Sequence, residues 1–113
     1  MGWDYNNTFN DFFEYDPLTD TWTRKADFPG TDVYNMITFT INNRIFVGLG
    51  FDRNGNAVRD IWEYHLGSDT WTHVTVIPNN EGYGAFVFVI NNKAYITGCG
   101  NSIDFYEFDP SKL

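Results

Sequence analysis

Between Asp52 and Glu63 the chain sets oxygen-bearing side chains at the spacing of a calcium-binding loop. Asp52, Asn54, Asn56, Asp60 and Glu63 fall at its first, third, fifth, ninth and twelfth positions. Such a loop needs glycine at its sixth position for a sharp turn, and Ala57 stands there. Asp60 and Glu63 also recur as Asp11 and Glu14, behind a stretch that lacks the pattern. Their spacing therefore answers to something other than a cation, and no metal or cofactor is read from the sequence. The two histidines, His65 and His73, lie in strand-like segments without the partners that a metal centre or a nucleophile–base pair demands. No catalytic residue is assigned.

Trp22, Trp71, Tyr15 and Tyr64 could stack on a sugar ring, but their recurrence at a fixed spacing points to packing between repeated units. Trp3 and Trp62 fall under the same reading. The candidate binding residues are Asp32, Tyr34, Asp52, Arg53, Arg59, Asn80, Glu81, Tyr83 and Asn101, with Asp4 and Tyr5 beside them. All lie in loops that strand alternation gathers on one face, and loops held by a rigid scaffold carry function disproportionately often. Taken one at a time, each also fits an ordinary solvated loop residue.

The elements that must hold these loops are written twice. Asp11-Phe12-Phe13-Glu14-Tyr15 through Thr21-Trp22-Thr23 returns 49 residues later as Asp60-Ile61-Trp62-Glu63-Tyr64 through Thr70-Trp71-Thr72. A shorter copy follows at Asp104-Phe105-Tyr106-Glu107-Phe108-Asp109-Pro110. Two further runs, 34–41 and 44–50, flank Asn42-Asn43, and the pattern recurs at 84–90 and 93–98 around Asn91-Asn92. Asparagine tolerates the positive φ of a tight two-residue turn, so each pair of runs reads as a hairpin. With strands at Asp60–Tyr64 and Thr70–Val76, one unit is four antiparallel strands; Pro29 and Pro78 mark the crossings between units. The hairpin strands are apolar at nearly every position, which predicts burial on both faces. The third and fourth strands alternate more and predict a half-polar outer edge.

Net charge is −8 and the seven basic residues are scattered, so nucleic acid is excluded as a partner. Cys99 is the only cysteine; no intrachain disulfide can form, and its apolar setting predicts a small buried thiol. No apolar run reaches the roughly 18–20 residues of a membrane-spanning helix, and Met1-Gly2-Trp3-Asp4-Tyr5 does not read as a signal peptide.

The order of apolar strand, short turn, Phe46-Val47-Gly48-Leu49-Gly50 or Tyr95-Ile96-Thr97-Gly98-Cys99-Gly100, loop, Asp-x-x-Glu-Tyr, turn and Thr-Trp-Thr resembles the kelch repeat. The Asp11–Pro17 form with Thr21-Trp22-Thr23 is similar to bacterial kelch proteins, notably of Bacteroidetes. The resemblance implies an all-β propeller of four-stranded blades and a secreted, periplasmic or cell-surface setting. It departs from the family in two places. The glycine doublet is broken at Leu49-Gly50 and Gly98-Cys99, which implies adjusted blade packing, and Val33 and Gly82 stand where a basic residue often opens strand one.

Residues 2–30 then supply strands three and four of one blade, 31–77 a complete blade, and 78–113 strands one to three of another: about two and a quarter blades. A closed ring has about four to eight, so the chain is expected to be part of a larger ring, completed by further blades or by self-association. Self-association is the weaker reading, because joining the two chain ends would give a blade of five strands. The expected function is a scaffold for a protein or carbohydrate ligand. Alternatives implied by the resemblance are a carbohydrate-active ring of the mutarotase or galactose oxidase kind, though the copper ligands of the latter have no match, and a structural module of a cell-surface protein.

Overall fold

The computed structural model describes residues 1–78, 84–98 and 103–113. In chain order the strands are β1 (Gly2–Trp3), β2 (Thr8–Phe9), β3 (Phe12–Asp16), β4 (Thr21–Lys25), β5 (Val33–Tyr34), β6 (Ile37–Ile41) and β7 (Arg44–Gly48). They continue as β8 (Phe51–Asp52), β9 (Asp60–His65), β10 (Thr70–Val76), β11 (Phe86–Ile90), β12 (Lys93–Thr97) and β13 (Phe105–Phe108), before a single 3-10 turn at Pro110–Lys112. Three sheets carry the fold: β3–β4, then β6–β7–β9–β10 in spatial sequence, then β11–β12–β13, all antiparallel.

Both Asn-Asn pairs turn as the sequence predicts. Asn42 and Asn43 have φ of 51° and 62°, Asn91 and Asn92 of 51° and 63°. That conformation matches the twist of the flanking strands and fixes their register, with Ile41 opposite Arg44 and Ile90 opposite Lys93. Asp4 and Tyr5, expected in a loop, lie in the turn of a small hairpin in which Trp3 pairs with Thr8. Its counterpart one period later is the Phe51–Ala57 bridge.

Burial departs from the expected gradient. In β6, Ile37, Phe39 and Ile41 are buried while Thr38 and Thr40 are exposed, so one face is covered rather than two. Strand β11 is more exposed still: Phe86, Phe88, Val89 and Ile90 all stand open. The outer strand β9, by contrast, buries Ile61, Glu63 and Tyr64. The cause is sheet stacking: β9 is covered from both sides, whereas β6 meets only the third sheet, because β3 and β4 do not extend over it.

One side of that sheet meets the third sheet. Phe39, Phe46, Ile41 and Ile61 pack there with Ala94, Ile96 and Phe108, and Phe108 sets its ring edge-on to both Phe39 and Phe46. The other side meets the first sheet through aromatics. Phe12 packs on Tyr64 and Trp71, and Phe28 on Trp62 and Trp71.

Glu63 is buried because Arg44 meets it from the neighbouring strand with two hydrogen bonds, of 2.7 and 2.8 Å. That hydrogen-bonded guanidinium holds the Glu63 carboxyl below its ordinary value. Lys93 and Glu107 repeat the pair in the third sheet at 3.0 Å. The Glu of Asp-x-x-Glu-Tyr thus serves the blade as a cross-strand ion pair.

Candidate loop-face site

The loop face is organised by the two-residue ribbon of β5 and β8, in which Val33 lies opposite Asp52 and Tyr34 opposite Phe51. The β1–β2 hairpin lies against it. Trp3 stacks on Tyr34 at 5.5 Å between ring centroids, Tyr5 leans on Trp3 at 5.7 Å, and Tyr34 leans on Phe51 at 5.7 Å. Trp3 remains 54% exposed and Tyr5 93%. A groove of about 420 Å³ opens beside them, bordered by Trp3, Tyr34, Asn35, Met36 and Thr38.

Asp32 sits at the edge of this shelf and ties its two halves. It accepts hydrogen bonds from Thr8 Oγ1 at 2.8 Å and Asn10 Nδ2 at 2.6 Å, and Arg53 reaches it at 3.5 Å. Asp52 turns back on its own loop, accepting from the Asn54 and Asn56 backbone N–H groups and from Asn56 Nδ2. The Asn56 side-chain and backbone donors hold its carboxyl below the ordinary value. Asp4 does the same with Asn6 and Asn7. These are local turn bonds of the Asx kind.

The geometry therefore brings together Asp32, Tyr34, Asp52 and Arg53 among the sequence candidates. Arg59 stands apart, donating to the Pro78 carbonyl at 2.8 Å and so latching the exit of β10. Asn80, Glu81, Tyr83 and Asn101 lie outside the described residues, as do Cys99 and Gly82. The calcium-loop spacing does not converge: Asp52 is held by its own turn, Asp60 meets His73 at 2.7 Å, and Glu63 points into the interface between sheets. No cluster of three or more metal-ligating side chains occurs among the described residues.

Sequence reasoning assigned Trp3 to packing and gave Thr8 and Asn10 no role. The available signal was a failure to repeat. One period after Trp3 and Tyr5 come Asp52 and Asn54, so those two aromatics are not part of the shared blade pattern.

The recurring aromatics lie elsewhere. Tyr64 donates to Asp69 Oδ1 at 2.7 Å, Asp69 Oδ1 also accepts the Ala26 N–H at 2.8 Å, and Trp71 Nε1 donates to the Ala26 carbonyl at 2.9 Å. Burial, reinforced by Asp69, pushes the Tyr64 phenol up to about 12. Asp69 and Trp71 thus clamp the segment leaving β4. A family model described as the Kelch motif matches residues 2–29, the stretch that holds β1 to β4 and this exit. Among solved structures, that of YjhT superposes with a TM-score of 0.66 at 28% identity, covering 79% of this chain and 28% of its own. The chain carries a kelch-repeat β-propeller fold. It spans less than a third of the length of YjhT. No curated protein gives a significant match. In kelch terms β6, β7, β9 and β10 are the four strands of one blade. Leu49, at the broken glycine doublet, takes φ of 59° and is buried against the neighbouring blade.

Proposed function

We propose that this kelch chain acts as a binding scaffold whose loop face receives a carbohydrate. One observation carries the reading: Trp3, half exposed and stacked on Tyr34, stands beside an open groove that Asn35 and Thr38 also line. Of the two further Tyr–Trp pairs, Tyr64 with Trp71 is covered by Phe12 and Phe28, and Tyr15 with Trp22 stands open but does not border this groove. An indole face supported from behind loses little freedom on binding, and it matches the apolar C–H face of a sugar ring. The amide of Asn35 and the hydroxyl of Thr38, which line the groove, can take ring hydroxyls in directional hydrogen bonds.

A glycan array probed with the natural chain and with Trp3→Ala tests this reading. The natural chain should retain at least one glycan class, and Trp3→Ala should weaken that binding by roughly tenfold, the loss of about 1.4 kcal/mol of stacking. Equal retention by both chains, or no glycan bound by the natural one, would refute it.

A further inference from the structure

We infer that the groove beside Trp3 selects an uncharged sugar and turns anionic sugars away, through the excess of carboxylates around it. The inference rests on the loop face receiving a carbohydrate and names the class of sugar. What lines the groove points first to this choice. No Asp, Glu, His, Lys or Arg side chain is among the described residues that border it. Its hydrogen-bonding side chains, Asn35 and Thr38 with Trp3 and Tyr34, are uncharged groups.

Asn and Thr each donate and accept, and a sugar hydroxyl needs both. A carboxylate makes its strong contacts with a guanidinium or an ammonium group, and the groove wall supplies neither. An acidic sugar seated against Trp3 would give up water around its charge without gaining a cation in return. The amino group of Met1 does border the groove, but it donates to the Asp11 carbonyl and pairs with Asp11 Oδ1 at 3.1 Å.

Charge around the groove points the same way. Asp4 follows Trp3 in the chain, Asp32 precedes Val33, and Asp52 lies opposite Val33 across the β5–β8 ribbon. Trp3 and Val33 both line the groove, so each of these backbones passes within about 6 Å of its wall. Arg53 stands against them, 3.5 Å from Asp32. Asp4, Asp11, Asp32 and Asp52 against Arg53 and the amino terminus leave two negative charges in excess. Turn hydrogen bonds hold the Asp4 and Asp52 carboxyls below their ordinary value, so these charges persist into mild acid. At physiological salt the Debye length is about 8 Å, and the excess is felt inside the groove. A neutral ring is indifferent to it.

The full chain can be titrated with the methyl glycosides of glucose, galactose and mannose, and in parallel with those of the matching uronic acids, which carry a carboxylate in place of one hydroxymethyl group. The Trp3 indole N–H resonance, assigned by its loss in Trp3→Phe, reports occupancy. At least one hexoside should move it saturably at roughly millimolar concentration. The matching uronide should bind about fivefold more weakly in about 10 mM salt. In about 1 M salt, where the Debye length falls to about 3 Å, the ratio should shrink toward twofold. A uronide that binds as tightly as its hexoside, or more tightly, would overturn the inference and leave the carbohydrate reading standing. A ratio indifferent to salt would overturn it too, since shape rather than charge would then discriminate. A Trp3 signal unmoved by every sugar of both kinds would refute the carbohydrate reading and the inference with it.

Discussion

Tyr64 carries two roles at the level of a single side chain: a wall for Phe12 and a donor to Asp69. Its phenol is raised from 10.0 to about 12, first by burial and then by the Asp69 carboxylate. A raised folded value means the unfolded chain ionises first. Its contribution is therefore fully present below pH 10.0 and falls as pH rises toward about 12. The loss should be on the order of 2 kcal/mol, measured as a falling urea midpoint across that window. Tyr64→Phe should flatten this part of the slope, and an unchanged slope would place the alkaline sensitivity elsewhere. The sequence makes Tyr64 legible because it recurs. It does not reveal that Glu63 is buried, because Arg44, its partner, comes from a strand 19 residues away. A polar residue between aromatics reads as a solvent-facing position until its cross-strand neighbour is known.

Hairpins are the most legible elements, since two asparagines in sequence specify both the turn and, through it, every pairing beyond. Less legible is how closely one strand approaches the next. Gly48 ends β7 directly against the backbone of Asp60 and Ile61 at the start of β9, where a β-carbon would overlap the Asp60 carbonyl. Gly48→Ala should force the two strands apart at that end and cost roughly 2 kcal/mol, read as a lower denaturation midpoint with strand content retained in circular dichroism. The adjoining Leu49 shows the opposite compromise. A left-handed leucine costs about 1–2 kcal/mol, and burial of its side chain against the neighbouring blade returns about as much or more. A broken doublet in the sequence is thus a packed residue in the fold. The burial of β6 and β11 was misread for a related reason. Apolar composition measures what a strand can bury, whereas the number of sheets stacked on it decides what it does bury.

For the molecule as a whole, the central blade is joined to its neighbours by two unlike interfaces. One is aromatic and lies on the outer strands around Phe28. The other mixes aliphatic and aromatic side chains around Phe108 and the inner strands. Because each sheet touches only its neighbours, damage should stay local, as in other repeat proteins. Phe28→Ala should cost about 3 kcal/mol and speed amide exchange in β3 and β4, leaving β11 to β13 protected. Loss of protection throughout would show that the sheets unfold as one unit. The repeat announced the architecture, because identical residues at one period need identical neighbours. The stacking of Trp3 on Tyr34 stayed hidden within the loop face, since the two come from different units and nothing in their spacing announces that they meet.

The Asp69–Ala26 contact joins residues 43 positions apart, and Trp71–Ala26 joins residues 45 apart, both shorter than the 49-residue period. Any tandem duplication of one period therefore copies a clamp together with an exit that fits it. New blades could be added to such a gene without inventing a new contact, and a lineage of these proteins could change its blade number by recombination alone.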